Sequence, residues 1–152
     1  MTEDIKFEDT VSYMLAKVTT AFRSALERHM GVIGLHGGQI FVLQELWNQN
    51  GLRQIDLAKK LDVAAPTVNK MLKSLIEVNL VSCSRLDDDA RSTRVFLTDQ
   101  GRDMRHEVEK QWHELEGDCL KGLTETERLV LFDLLVKLRS TYTGKGGDVD
   151  DE

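Results

Sequence analysis

Apolar residues recur at intervals of three and four along most of the chain, and this period changes near the middle. Spacing of three and four places side chains on one face of a helix. From residue 80 to residue 97, two short runs of strand-forming residues instead flank the polar stretch LDDDARS, which is typical of a β-hairpin. The pattern therefore predicts a mainly α fold that carries one two-stranded hairpin.

Four helices are predicted before the hairpin. The first extends from about residue 7 to Gly31, where the glycines at 31, 34, 37 and 38 mark a loop. The second covers about 39–48 and ends before Asn50-Gly51, a pair suited to a left-handed cap. The third and fourth, about 53–60 and 66–79, are separated by a short break.

Two helices are predicted after the hairpin. Thr98 caps a long helix that reaches about residue 121, and Thr124 with Glu127 forms the capping box of a last helix that ends near residue 142. The last helix is apolar on nearly every side, and a helix of this kind needs cover all round. Because a chain of this length has little other surface to offer, a second copy is expected to cover it. The apolar stripe of the first helix points to the same homodimer.

Composition indicates a soluble protein of the cytoplasm. Of 152 residues, 41% are hydrophobic and 30% charged, as in ordinary globular domains. No apolar run approaches the roughly 18 residues that cross a bilayer, and the acidic start MTEDIKFEDT is unlike a secretory signal. Two cysteines, Cys83 and Cys119, fit a reducing compartment. Cys119 is expected to pack in the interior.

The distribution of charge permits a nucleic acid partner despite a formal net charge of -6. Between residues 52 and 101 the chain has eight Lys and Arg against seven Asp and Glu, so the acidic excess lies outside this segment. The middle of the chain is therefore not repelled by phosphate.

The third and fourth predicted helices have the pattern of a helix-turn-helix. Apolar residues of the third (Leu57, Ala58 and Leu61) can pack against those of the fourth (Val68, Met71, Leu72 and Leu75). Pro66 suits the first turn of a helix, where its missing N–H is not needed. In this motif the second helix enters the major groove of DNA.

The outward face of the fourth helix has the chemistry of a DNA reader. Five polar residues are expected there: Thr67, Asn69, Lys70, Lys73 and Ser74. Thr67 and Asn69 lie near the helix start, where side chains approach base edges, and Asn can pair with adenine. Lys70 and Lys73 are placed to neutralise phosphates. An ordinary solvated helix face would have the same composition, so this pattern alone leaves both interpretations open.

The hairpin places Arg91 at the tip of a polar turn and Arg94 on the returning strand. An arginine at such a tip suits the narrow minor groove, where the negative potential is enhanced. Asp89 can hold Arg91 in position. A surface hairpin with local ion pairs is the alternative.

The hairpin and the start of the next helix contain a specific motif. It reads Asp89-x-Arg91-Ser92-x-x-Val95-x-Leu97-Thr98-x-x-Gly101. This resembles the wing signature of the MarR family of bacterial regulators. Gln54-Ile-Asp-Leu-Ala58 resembles the family's first helix-turn-helix helix, Val68–Leu75 its recognition helix, and the order of segments matches over about residues 7–142.

The resemblance implies a winged helix-turn-helix with N- and C-terminal dimerisation helices, which binds a pseudo-palindromic operator as a homodimer. Its domains would be an N-terminal dimerisation helix (1–35), a DNA-binding lobe (36–100), C-terminal dimerisation helices (101–143) and a disordered acidic tail (144–152). The candidate DNA-binding residues are Gln54, Pro66, Thr67, Asn69, Lys70, Lys73, Asp89, Arg91 and Arg94. This sequence has Asn79, Cys83 and Ala90 where the family commonly has Gly, a basic residue and Arg.

The resemblance also implies a pocket for a small lipophilic or aromatic effector between the dimer helices and each lobe, and hence a repressor that its ligand releases. Candidate lining residues are Met14, His36, Trp47 and Trp112, although Met and aromatic residues at helical spacing are more often core. No cofactor is expected.

Two further groups of residues suggest metal- or redox-sensing variants of the same regulator. His106, Glu109, His113 and Glu116 repeat at spacings of 3, 4 and 3 on the long helix. The two histidines are about 10 Å apart, so a solvated face is expected there and not a metal site. Cys83 as a redox switch would need a lowered pKa.

An enzyme is not expected, because the chain has no phosphate-binding glycine loop, no nucleophile elbow and no catalytic cluster. A winged-helix module that binds another protein is the main alternative to a DNA reader, and the acidic net charge favours it.

Overall fold

The computed structural model describes residues 4–85 and 93–143 and is mainly helical. A 3-10 turn at Phe7–Asp9 precedes six α-helices, which are α1 (Val11–Gly31), α2 (Gln39–Asn48), α3 (Gln54–Leu61), α4 (Ala65–Glu77), α5 (Asp99–Leu120) and α6 (Glu125–Thr143). The strands are β1 (Leu52–Arg53), β2 (Val81–Arg85) and β3 (Thr93–Leu97). The chain divides into two compact units, Met1–Leu115 and Glu116–Glu152.

The sheet has three antiparallel strands in the order β1-β3-β2. Strands β2 and β3 form the predicted hairpin, and β1 adds a third strand that was not predicted. Val95 of β3 pairs with Leu52 on one side and Cys83 on the other. A strand of two residues shows no alternation of its own, and β1 is defined only by its pairing with β3. The sequence pattern therefore had no means of revealing it.

The core of the first unit joins the helix-turn-helix to the sheet. Leu57 of α3 and Val68 and Leu75 of α4 are fully buried, as are Leu46 of α2 and Val95 of β3. The predicted packing of α3 against α4 is confirmed, with Leu61 and Met71 packed half-buried against the same core. This arrangement is the winged helix-turn-helix expected from the sequence.

Local capping signals placed the helix ends correctly in most cases. The Thr98 hydroxyl accepts a hydrogen bond from the Gly101 N–H at 3.0 Å at the start of α5. Thr124 and Glu127 form the reciprocal capping box of α6, at 2.8 and 3.2 Å. The first helix begins later than predicted, because the Thr10 side chain caps it by accepting from Tyr13 N–H.

Helix α6 leaves its apolar side chains exposed within the single chain. None of its described residues is buried, and Leu129 and Phe132 keep 69% and 70% of their surface. A helix that is apolar on most sides needs cover all round. Cys119, near the end of α5, is exposed, so the prediction that it packs in the interior is wrong.

No helix within residues 4–85 and 93–143 is long and apolar enough to cross a membrane.

Candidate nucleic-acid interface

Helix α4 presents one apolar and one polar face. Val68, Leu72 and Leu75 anchor the inner face. The candidate DNA-binding residues of this helix are all exposed: Pro66, Thr67, Asn69, Lys70 and Lys73. Pro66 lies in the first turn, and Ala64 at the N-cap offers no side-chain acceptor to the first amides. The exposed face thus combines two ammonium groups with polar side chains. The backbone N–H groups of Thr67 and Val68 already donate to Ala64 O, at 3.0 and 3.2 Å.

The turn between α3 and α4 is short because Asp62 adopts a left-handed conformation, with φ 54°. The Val63 N–H then donates back to Ala58 O at 3.2 Å and closes the end of α3. Ala58 is buried, and its small side chain permits close packing of the two helices. Gln54 lies half-buried at the first position of α3.

Arg53 and Asp56 form a local ion pair at the start of α3. The Arg53 guanidinium donates to both carboxylate oxygens of Asp56, at 2.7 and 3.2 Å. This hydrogen bond lowers the pKa of Asp56 and raises the pKa of Arg53. Asp56 is therefore neutralised locally, which reduces the repulsion that it would exert on a nearby phosphate.

Arg94 has a structural contact in addition to its predicted place on the wing. Its Nη1 donates to the Gly51 carbonyl at 2.9 Å, and the side chain is half-buried. The Asn50 carboxamide oxygen accepts from Leu97 N–H at 2.9 Å beside it. These bonds attach β3 to the turn between α2 and β1, so a DNA contact by Arg94 would use its remaining N–H groups.

The tip of the wing lies outside the described residues. Asp89 and Arg91 are both in the 86–92 segment. At the base of the wing, Cys83 is exposed on β2, and partial desolvation raises the pKa of its thiol. A redox switch needs a thiolate at neutral pH, so the environment of Cys83 is unfavourable for the redox variant.

Ser74 differs from the sequence prediction. It was expected on the outward face with Lys70 and Lys73, but it is half-buried and its hydroxyl accepts a hydrogen bond from Gln39 Nε2 at 2.9 Å. Gln39 at the start of α2 is 4% exposed, and sequence reasoning did not single it out. The sequence signal that could have identified it is an amide residue directly before the apolar run at the start of α2.

The four residues predicted to line an effector pocket have different surroundings. Trp112 makes edge-to-face contacts with Phe22 and Phe41 at 6.4 and 6.3 Å between ring centroids. The Trp47 indole N–H donates to Gly101 O at 3.0 Å.

The other two, Met14 and His36, lie far apart, with Met14 on α1 and His36 in the loop between α1 and α2. Met14 is exposed on that helix, whereas the exposed His36 is 3.9 Å from Glu27. Because Met14 and Glu27 are about 20 Å apart along the helix axis, one small ligand cannot readily contact Met14 and His36 together.

The histidine and carboxylate repeat on α5 does not gather into a metal site. In the described ranges, no group of three His, Cys, Asp or Glu residues is close enough to hold an ion. Glu109 is instead paired with Arg105 at 2.7 Å, and His106 and His113 are exposed.

Sequence comparison relates the chain to known regulators. The model of the MarR family matches residues 36–93. The chain is 31% identical over 107 residues to an uncharacterized HTH-type transcriptional regulator, YdgJ, of Bacillus subtilis, covering 70% of this chain and 65% of that protein. It is 30% identical over 130 residues to the HTH-type transcriptional regulator TtmR of Methylorubrum extorquens, covering 86% and 64%. The chain thus spans slightly less than two thirds of each relative.

Solved structures share the fold. A probable transcriptional regulator from Pseudomonas aeruginosa superposes with a TM-score of 0.80 at 22% identity, over 88% of this chain and 99% of that one. The Bordetella bronchiseptica protein BpsR, whose DNA binding is regulated by 6-hydroxynicotinic acid, superposes with a TM-score of 0.79 at 23% identity, over 88% and 97%. At these identities the likeness establishes the fold alone. The relatives are named as regulators, in agreement with the expectation that the chain is not an enzyme.

Proposed function

Because the chain belongs to the MarR family, we propose that it is a cytoplasmic transcriptional regulator that binds duplex DNA with α4 in the major groove. One observation carries this proposal. The buried inner face of α4 turns Asn69, Lys70 and Lys73 outward together, so a single docking of this helix presents a base-reading amide and two cations to one groove.

Each residue of the interface has a proposed role. Thr67 and Asn69, near the helix start, contact base edges, and Asn69 pairs with adenine. Lys70 and Lys73 neutralise phosphates on the flanking strands. Gln54 at the start of α3 and Pro66 at the start of α4 contact the backbone, where the first helix of this motif crosses it.

The wing supplies a second contact in this proposal. Arg91 enters the minor groove beside the half-site, Asp89 orients it, and Arg94 binds a phosphate with the N–H groups that Gly51 leaves open. The family motif supports Asp89 and Arg91. The anchoring of β3 by Arg94 supports a wing whose base is fixed against the helix-turn-helix.

The proposed DNA-binding form is a homodimer. The exposed apolar surface of α6 supports it, as does the apolar stripe of α1, where Val11, Met14 and Val18 are each more than half exposed. A second copy that covers these surfaces would remove apolar area from water, which favours association. It would also place two α4 helices on successive major grooves of a pseudo-palindromic operator.

The proposed action is repression released by a small aromatic effector. BpsR, which shares the fold, is regulated by 6-hydroxynicotinic acid, and this chain has a partly exposed aromatic cluster at Trp112, Phe22 and Phe41. A planar ligand could stack there. Of the predicted pocket residues, Trp112 is then the primary contact and Trp47 a secondary candidate. Met14 and His36 are alternatives to each other, since one small ligand cannot readily contact both.

The test is retention of duplex DNA as a function of salt. Each phosphate contact contributes to the slope of log affinity against log salt. Lys70→Ala and Lys73→Ala should each reduce that slope by about one unit. Lys110→Ala is the matched control, because Lys110 is an exposed lysine on α5 with no proposed phosphate contact, and it should leave the slope unchanged.

The same titration separates the proposed function from a protein-interaction module. A DNA reader loses affinity steeply as salt rises, whereas a module whose α4 binds protein retains no duplex at low salt. Equal slopes for wild type, Lys70→Ala and Lys110→Ala would remove α4 from the interface.

A further inference from the structure

A chain of hydrogen bonds connects α1 to the inner side of α4 through the loop that precedes α2. Gln39 is its central residue. The Gln39 Nε2 donates to Ser74 Oγ at 2.9 Å, and its Oε1 accepts from His36 N–H at 2.8 Å. Ser74 in turn donates to Met71 O at 2.8 Å within α4. One buried amide therefore joins the loop to the helix proposed to read DNA.

The loop is joined to α1 on its other side. The Glu27 carboxylate accepts from Gly37 N–H at 2.8 Å. A Cβ on residue 37 would lie 2.7 Å from this carboxylate oxygen and 3.2 Å from the Leu26 side chain, so a larger residue there would displace the Glu27 carboxylate from its present position. The loop thus contacts α1 through residue 37 and α4 through Gln39.

This polar connection is unusual because it lies against an apolar core. Leu35 and Ile40 on either side of the loop are buried, and Gln39 itself is 4% exposed. A buried amide whose partner is removed retains the cost of its desolvation. The bond between Gln39 and Ser74 therefore favours one placement of α4 over neighbouring placements in which the apolar contacts alone would differ little.

We propose that Gln39 is a positioning residue for DNA recognition, which fixes α4 relative to α1 through Ser74 and the loop held by Glu27. The proposal rests on the proposed function of α4. It does not assign Gln39 a contact with DNA, since Gln39 lies on α2, is buried and contacts α4 at the half-buried Ser74, whereas Asn69 and Lys73 are exposed. Its consequence is that a change at α1 reaches the DNA-reading face through this connection.

The test compares Gln39→Met, Ser74→Ala and the double variant. The DNA probe is a duplex that the wild type selects from a random-sequence pool, and a scrambled duplex of equal length is the reference. Each single variant should lose about five- to tenfold of its preference for the selected duplex, because a buried hydrogen bond that fixes geometry is lost. The double variant should lose no more than Gln39→Met alone, since both variants break the same bond.

A second measurement separates positioning from general destabilisation. Salt slopes should stay at the wild-type value, because the phosphate contacts are intact. Amide exchange in the free protein should accelerate within α4 and stay at the wild-type rate within α5, whereas general destabilisation would accelerate both. Glu27→Leu should reproduce a smaller part of both effects. Glu27→Gln is its matched control, because the amide oxygen can still accept from Gly37 N–H, and it should behave as the wild type.

The outcomes distinguish the two proposals. Additive losses in the double variant, or unchanged preference with unchanged exchange in α4, would overturn the role of Gln39. If the wild type selects no duplex, the proposed function fails, and amide exchange then decides separately whether Gln39 positions α4.

Discussion

Gly101 and Leu80 are in such close contact that a Cβ on residue 101 would lie 2.1 Å from the carbonyl oxygen of Leu80. The carbonyl of Gly101 also accepts the indole N–H of Trp47, and its N–H donates to Thr98. Gly101, the last glycine of the wing signature, is therefore where α5 contacts both α2, through Trp47, and Leu80, the residue before β2. Its presence in the motif has a packing explanation.

Gly101→Ala should destabilise the protein by about 3 kcal/mol or more, because a backbone carbonyl cannot move aside as a side chain can. Gly117→Ala is the control on the same helix, where nothing lies within 4 Å of the added Cβ. That change should stabilise the helix by up to about 1 kcal/mol. Urea unfolding followed by circular dichroism measures both, and equal midpoints would contradict the close-contact explanation.

The backbone conformation of residue 79 explains why this chain can have Asn where the family commonly has Gly. It adopts φ 59° between α4 and β2, a left-handed conformation that Gly and Asn tolerate best. Its carbonyl accepts from the Thr98 hydroxyl at 2.7 Å, a bond that does not depend on the side chain. Asn79→Ala should therefore cost about 1 kcal/mol in the free energy of unfolding, whereas Asn79→Gly should cost nothing. A loss of equal size in both variants would show that the Asn side chain, and not its backbone conformation, matters.

Asn69 and Arg91 should affect different properties of DNA binding. Asn69→Ala should lower the preference for a selected duplex by about 1–3 kcal/mol while changing non-specific binding little, because a base contact is lost. Arg91→Ala should weaken binding with the largest effect at A/T-rich flanks, where the minor groove is narrow. Competition assays with flank-substituted duplexes measure both. If Asn69→Ala weakens all sequences equally, Asn69 positions the helix and does not read a base.

Cys83 should be a slow nucleophile at neutral pH. Since desolvation raises the pKa of its thiol above the ordinary value of 9.0, the thiolate fraction at any pH below that value is smaller than in a free cysteine. In a Cys119→Ser background, alkylation of Cys83 should lag behind a cysteine peptide at pH 8, and the difference in rate should narrow as the pH rises. Rapid alkylation at pH 7 would restore the redox hypothesis.

The proposed dimer interface can be tested on α6. Phe132→Asp places a charge in an apolar surface that the second copy is proposed to cover, so the variant should sediment as a monomer at concentrations where the wild type is a dimer. Ser140→Ala, also exposed on α6, should leave the mass unchanged. A wild type that is already a stable monomer would contradict the interface.

Elements with local signals were predictable from sequence, and those that depend on distant partners were not. The bounds of α2 and the capping box of α6 follow from residues within four positions of each other. Strand β1 has two residues and exists through Val95, more than forty positions away. The hydrogen bond between Gln39 and Ser74 spans 35 positions, and the spacing of hydrophobic residues gives no information about such a pair.

The outward face of α4 was predicted correctly except at its edge. Ser74 adjoins Leu75 and lies one turn after Met71, at the boundary of the apolar stripe, where a small polar residue is compatible with either side. The structure places it inward because Gln39 supplies a partner. The wing arginine, Arg91, was identified through the family motif, and its contact with DNA stays a prediction.

The most direct measurement of the central claim is a hydroxyl-radical footprint on a selected duplex, combined with the mass of the complex. Two chains per duplex should protect two patches of backbone about 10 base pairs apart, one for each α4 and its wing. A single chain per duplex with one protected patch, or no protection at low salt, would contradict the account.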